Sequence, residues 1–276
     1  MQGLLTCWLL AVTVQGTLVS AQNERKEPGQ VKQDTKKERS FEMRVVGGRA
    51  ISNPELGGYI IAMRYFDIFA CGGTLIHDRI VLSAAHCFIN REVNQYWVLS
   101  GGISSLNETG EERKIKDVIT SPNFSQENLD FDVAVILLDK PLVGKNIAKL
   151  SLCTTELKVG MQLDVSGWGH TKEGASLENN LRTVTVPYID RDTCRESYRF
   201  TEVNITDNMI CAGVLGSKDA CLFDSGGPLV YQQEICGIVS FGIGCARKDY
   251  PGVYTDVKFM KPFIEQSIQD LLSRLE

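Results

Sequence analysis

Apolar residues come in short runs along this chain, separated by glycine, asparagine, aspartate or proline. Few stretches sustain a long 3.6-residue period. The runs at 59–65, 74–76, 80–83, 97–100 and 115–119 have the length and make-up of strands joined by turns. Residues 133–138, Val-Ala-Val-Ile-Leu-Leu, are continuously apolar, as a fully buried strand would be. A linker is expected around Pro141 to Cys153. The second half repeats the texture: 162–166, an alternation of Val184, Val186 and Tyr188, then 228–231, 235–240 and 253–257. Residues 258–275 change character. Phe259, Phe263, Ile264, Ile268, Leu271, Leu272 and Leu275 fall on one helical face, so a closing helix is expected there. The pattern predicts an all-β chain of two similar-sized modules followed by a C-terminal helix.

The first 44 residues stand outside this pattern. Residues 4–19 are mostly apolar and lead to Val19-Ser20-Ala21, a small-residue cleavage site, so 1–21 reads as a signal peptide. The alternative is a membrane anchor. Against it, Thr13, Gln15 and Gly16 interrupt a segment already shorter than the ~20 residues a span needs. Residues 22–44 are polar and charged and would be disordered alone. They hold seven basic and five acidic side chains. Removing them from the chain's 29 and 34 leaves 22 basic and 29 acidic residues, a net charge of −7. That balance argues against a nucleic-acid or anionic-membrane partner. Nine cysteines less Cys7 leave eight, an even number in a secreted context, where disulfides are expected. Asn107, Asn123 and Asn204 each begin an Asn-X-Ser/Thr glycosylation sequon.

The candidate chemistry centres on Ser225, in the run Asp219-Ala220-Cys221-Leu222-Phe223-Asp224-Ser225-Gly226-Gly227-Pro228. A serine hydroxyl is a weak nucleophile until a base takes its proton. Three histidines are available. His170 follows Gly167-Trp168-Gly169 in an expected surface loop, and His77 sits beside Asp78 in an expected turn. His86 lies in Ser83-Ala84-Ala85-His86-Cys87, where the adjacent cysteine can pin its backbone. A base of this kind needs a carboxylate to orient it. Asp130 and Asp132 both stand just before the apolar run 133–138. Asp132 immediately precedes it, and Asp130 reads as a solvated loop carboxylate. Upstream lies the run Arg44-Val45-Val46-Gly47-Gly48.

In that order these segments resemble the trypsin-like (chymotrypsin-fold) serine endopeptidases, over residues 45 to about 265. The resemblance implies a peptidase domain over 45–276, made of two six-stranded antiparallel β-barrels with the active site between them. The first barrel would span about 45–150, the second about 151–257, and the helix about 258–275. His86 is then the general base, Asp132 its partner and Ser225 the nucleophile. The backbone N–H groups of Phe223 and Ser225 form the oxyanion hole. Asp219 closes a pocket for Arg or Lys, with Ser240, Gly242 and Gly252 on the substrate-binding walls. Cleavage after Arg44 frees the α-amino group of Val45 to pair with Asp224, by an upstream protease or by the enzyme itself. Disulfides Cys71–Cys87, Cys194–Cys211 and Cys221–Cys245 follow from the same resemblance. A further family bridge has lost both ends, at Leu163 and Tyr231. Cys153 and Cys236 remain as two free thiols or as a fourth bridge.

The cysteine pattern and short propeptide are closer to insect enzymes. Loop 100–112 lacks the acidic residue that opens the vertebrate calcium loop, so no metal and no cofactor are implied. The expected protein is a secreted monomer acting on protein or peptide substrates. Phe223 replaces the family's usual glycine. It motivates the alternative of a low-activity homologue serving as a binding partner or cascade cofactor.

Overall fold

The computed structural model describes residues 48–93, 95–169, 179–215, 225–243 and 249–275. The expected signal peptide and activation segment lie outside these residues, as do His170, Asp219, Cys221, Phe223, Asp224 and Cys245. Two short elements open the described chain: strand β1 (Arg49–Ala50) and a single helical turn, α1 (Asn53–Leu56). Six strands follow: β2 (Ile60–Tyr65), β3 (Ile68–His77), β4 (Ile80–Ser83), β5 (Trp97–Gly101), β6 (Glu111–Thr120) and β7 (Ala134–Leu138). They close into an antiparallel barrel in the order β2-β3-β4-β7-β6-β5. Closure leaves no free sheet edge around the ring. The continuous run 133–138 is wholly inaccessible to solvent, as its composition predicts.

A two-residue strand, β8 (Ser151–Leu152), leads into the second barrel. Its strands are β9 (Gln162–Gly167), β10 (Arg182–Ile189), β11 (Met209–Ala212), β12 (Pro228–Tyr231), β13 (Glu234–Phe241) and β14 (Gly252–Asp256). The ring runs β10-β11-β14-β13-β12-β9 and closes through the β9–β10 pairing. Helix α2 (Arg191–Tyr198) sits between β10 and β11, capped by the Asp190 carboxylate, which accepts from the Thr193 N–H at 2.9 Å. Helix α3 (Val257–Ser273) ends the fold; the Asp256 side chain caps it by accepting from the Phe259 N–H. Its buried residues Val257, Met260, Ile264, Ser267 and Leu271 recur every three or four positions. They pack on β6 and β7 of one barrel and β13 and β14 of the other.

The sequence pattern under-reads the structure in three places. Strand β3 begins six residues before the expected 74–76, because Gly72 and Gly73 disguise its apolar alternation. Gly73 is needed there: a Cβ would stand 2.8 Å from Val81 Cγ1. Strand β11 and helix α2 are short and carry no clear period. Strand β1 lies within the expected first module but pairs with β10 of the second barrel, Arg49 opposite Thr183. The buried Arg182 guanidinium fixes this crossing by donating to the Gly48 carbonyl at 2.7 Å.

Candidate active site

His86 lies in a single 3-10 turn, Ala85–Phe88, directly after β4. The turn is fixed at both ends of its chemistry. Cys87 is bridged to Cys71 on β3. The His86 backbone N–H donates to Asp132 Oδ1 at 2.9 Å, and its ring Nδ1 lies 2.7 Å from Asp132 Oδ2. One carboxylate therefore holds both the main chain and the ring of the histidine. With Nδ1–H donated to Asp132, Nε2 is left as the acceptor. The histidine side chain keeps 19% exposure, whereas Asp132 has none.

A buried carboxylate is tolerable only when its lone pairs are filled. Here the second barrel supplies the remaining donor. Ser240, in β13, donates its hydroxyl to Asp132 Oδ2 at 2.5 Å. Thr255, in β14, donates to the Asp132 main-chain carbonyl at 2.7 Å. The residue before, Phe131, has φ 53, a left-handed conformation costing about 1–3 kcal/mol for a residue with a Cβ. Its N–H donates to Asn208 Oδ1 at 3.1 Å. Asn208 Nδ2 and the Thr206 hydroxyl both donate to Asp130, at 2.6 and 2.7 Å. Asp130 is thus bonded to the second barrel rather than a solvated loop carboxylate. The sequence reading missed Asn208, Thr206 and Thr255. It assigned Ser240 to the substrate walls, and the structure also turns its hydroxyl onto Asp132. Only the shared Asn-X-Asp-X-Asp texture of 128–132 hints at such a polar cluster.

Ser225 precedes β12. Its carbonyl accepts from the Gly72 N–H of β3 at 2.8 Å, a main-chain bond from one barrel to the other. Gly226 follows with φ 77 and donates its N–H to the Val239 carbonyl at 2.8 Å. A Cβ on Gly226 would stand 2.2 Å from Ser83 Oγ and 2.5 Å from the Gly72 oxygen. The serine loop is therefore seated against Ser83 and Ala84, two residues short of His86. Gly242 follows β13 and Gly252 opens β14, two strands paired through Phe241 and Val253. The structure thus brings Ser225 onto the segment that leads to His86, and sets Ser240, Gly242 and Gly252 on the paired ends of β13 and β14.

Three disulfides are formed among the described residues: Cys71–Cys87, Cys153–Cys236 and Cys194–Cys211. The second resolves the open alternative for Cys153 and Cys236. It closes 83 residues of chain. All three sequon residues, Asn107, Asn123 and Asn204, are exposed. His77 ends β3, and its Nδ1 accepts from the Arg79 N–H, far in role from any carboxylate relay.

Comparison with known proteins matches residues 45–264 to the sequence pattern described as Trypsin. Seminase of Drosophila melanogaster is 56% identical over 238 residues, covering 85% of this chain and 86% of its own length. The Vitellin-degrading protease of Bombyx mori is 37% identical, covering 83% of this chain and 88% of its own. Trypsin of Sus scrofa is 39% identical over 201 residues, 72% of this chain and 85% of its own.

Proposed function

The chain belongs to the trypsin family and is a serine endopeptidase; from that premise we propose that it is a secreted zymogen that cleaves proteins after Arg or Lys once it is cut at Arg44. The observation that carries the reading is the His86–Asp132 pair, filled out by Ser240. Ser225 Oγ attacks the scissile carbonyl carbon as its proton passes to His86 Nε2. The new O–C bond gives a tetrahedral oxyanion, held by the N–H groups of Phe223 and Ser225. His86 then returns the proton to the leaving nitrogen as the C–N bond breaks, leaving an acyl-enzyme. Water, deprotonated by the same histidine, attacks the ester and regenerates Ser225. Asp132 keeps the imidazole in the tautomer this needs and stabilises the imidazolium.

Specificity rests on Asp219, six residues before Ser225. A buried anion selects a cationic side chain, because an apolar one would leave the charge unpaired. Gly242 and Gly252 would leave room for that long side chain. Arg44 fits the same pocket, so activation can be by the enzyme itself. The released segment has no cysteine to tether it. The enzyme names of the relatives favour an active protease over an inert homologue. The test is hydrolysis of a small Arg ester before and after controlled cleavage at Arg44. Turnover should appear only after cleavage and be absent from an uncut Arg44→Gln chain. Full activity in that uncut chain overturns the zymogen reading.

A further inference from the structure

Two of the three sequons converge on one residue. Ser125, the hydroxyl residue of Asn123-Phe124-Ser125, bridges to Asp130, its N–H donating to the Asp130 carbonyl at 3.1 Å. Thr206, the hydroxyl residue of Asn204-Ile205-Thr206, donates its hydroxyl to Asp130 Oδ1 at 2.7 Å. One sequon belongs to the first barrel and the other to the second. Asp130 stands two residues before Asp132, whose carboxylate holds His86. Leu129 and Phe131, on either side of Asp130, have φ of 54 and 53. Left-handed backbone at non-glycine residues persists only where the surroundings over-determine it. The mount that the two sequons share is therefore firmly held.

That mount places both sequons near the catalytic pair. Two residues of chain span at most ~7 Å, and each hydrogen-bonded pair adds about as much, so Asn123 and Asn204 each lie within ~20 Å of Asp132. Both asparagines are exposed. Val203 and Ile205 belong to the apolar cluster of Cys194, Tyr198 and Val253, and Phe241 packs on the same cluster. Asn204 stands in solvent between those two residues. Phe241 lies between Ser240 and Gly242, so the Asn204 sequon and the substrate walls rest on one support. Asn107 differs. Its loop is tied to β2 by Arg64, which donates to the Leu106 carbonyl, and to the approach to β10 by the Ser105–Asn180 bridge. Those bonds lead away from the carboxylate loop.

We propose that Asn123 and Asn204 both carry N-linked oligosaccharides, and that the pair shields the cleft against large folded proteins while leaving it open to extended segments and small esters. The proposal rests on the secreted-endopeptidase reading above. Transfer joins the asparagine Nδ2 to the anomeric carbon of a lipid diphosphate-linked oligosaccharide. The bond from that carbon to the diphosphate breaks, the lipid diphosphate leaves, and the amide gives up one proton. Thr206 can serve the transferase until folding commits its hydroxyl to Asp130. The attached sugars are bulky and solvated, and the shared mount fixes where they stand.

The test uses the full chain secreted from eukaryotic cells and cut at Arg44. Mass spectrometry of its peptides should find sugar on both Asn123 and Asn204. Activity is read on a small Arg ester and on a folded protein substrate. The variants are Asn123→Gln with Asn204→Gln, and Asn107→Gln as the control; all spare Ser125 and Thr206, so the bonds to Asp130 stay. The double variant should gain about tenfold in kcat/KM on the folded protein, within the one to three decades over which association varies at one interface. Its rate on the ester should be unchanged, and Asn107→Gln should match the unmodified enzyme on both. Stripping the sugars from the folded enzyme with a glycan amidase should give the same gain, whatever the variants' folding yield. An unmodified Asn123 or Asn204, no gain on the folded protein after stripping, or an equal gain from Asn107→Gln overturns the proposal. Ester hydrolysis absent from every form would sink the catalytic reading alone. The shield is then read by the association rate of a folded, Arg-presenting inhibitor protein, which should rise on stripping; an unchanged rate overturns it.

Discussion

Gly226 shows how far one residue can decide this active site. Its φ of 77 favours glycine, and its missing Cβ is the space taken by Ser83 Oγ and the Gly72 oxygen. Both of those belong to the barrel that carries His86. Gly226→Ala therefore adds a steric clash to backbone strain, at the point where the serine loop meets the histidine's segment. Turnover and the urea midpoint should fall together, with stability reduced by about 3 kcal/mol or more. Gly160→Ala is the control: its φ is also positive, at 82, but nothing lies within 4 Å of the added Cβ. It should cost about 1 kcal/mol and leave turnover intact. Equal losses in the two variants would show that strain alone governs position 226. Ser240 makes the complementary point. Its hydroxyl type was visible in the chain, but its bond to Asp132 was not, since that contact spans 108 residues.

Among the elements, the linker into the second barrel has an unusual fastening. Strand β8 runs parallel to β13, with Leu152 opposite Ile235. That register sets Cys153 against Cys236 and explains why the bridge forms. Two residues before Cys236 on β13, Glu234 accepts from the N–H groups and hydroxyls of both Thr154 and Thr155, the hydroxyls at 2.5 and 2.6 Å. Hydrogen bonds from the Thr154 and Thr155 side chains, then from their backbones, hold the Glu234 carboxyl down to about 2. A depressed carboxylate stabilises the fold above its unfolded value of ~4.3 and loses that contribution as pH falls through its folded value. Urea unfolding of the unmodified chain and of Glu234→Gln should differ by on the order of 1 kcal/mol at pH 7, modest because solvent screens a group near the surface. The gap should narrow between pH ~4.3 and about 2. A gap unchanged across that window would mean the carboxylate's charge plays no part.

For the whole molecule, the barrels are coupled through the carboxylate loop as well as through the serine. Residues 130–132 come from the first barrel, but four residues of the second hold them: Thr206, Asn208, Ser240 and Thr255. Asn208 is 2% exposed and bonds two consecutive residues there, one of them strained. Asn208→Ala should release Phe131 and let Asp132 drift from the imidazole. Stability should fall by ~1–3 kcal/mol, the penalty for orphaned buried polar groups. In kinetics, kcat on a small Arg ester should drop ~10-fold or more with KM little changed, since the substrate pocket is untouched. A rise in KM with constant kcat would place the effect in substrate binding instead. Helix α3 reinforces the coupling from outside by packing on strands of both barrels.

The sequence by itself determined the fold class and the helix at the end, and it offered the candidate residues for the chemistry. These were legible because each signal is local. Alternation fits a strand of five to eight residues, the apolar run 133–138 needs no partner to be read, and His86 and Ser225 sit in contiguous motifs. Only the tertiary structure decided which side chains complete the site. The partners of Asp132 and Asp130 in the second barrel lie 76 to 123 residues away in the chain. Nothing in one dimension distinguishes Asn208 or Thr255 from any polar residue at a strand end. The same holds for Cys153–Cys236, whose pairing depends on a parallel register, and for β1, which crosses to the other barrel.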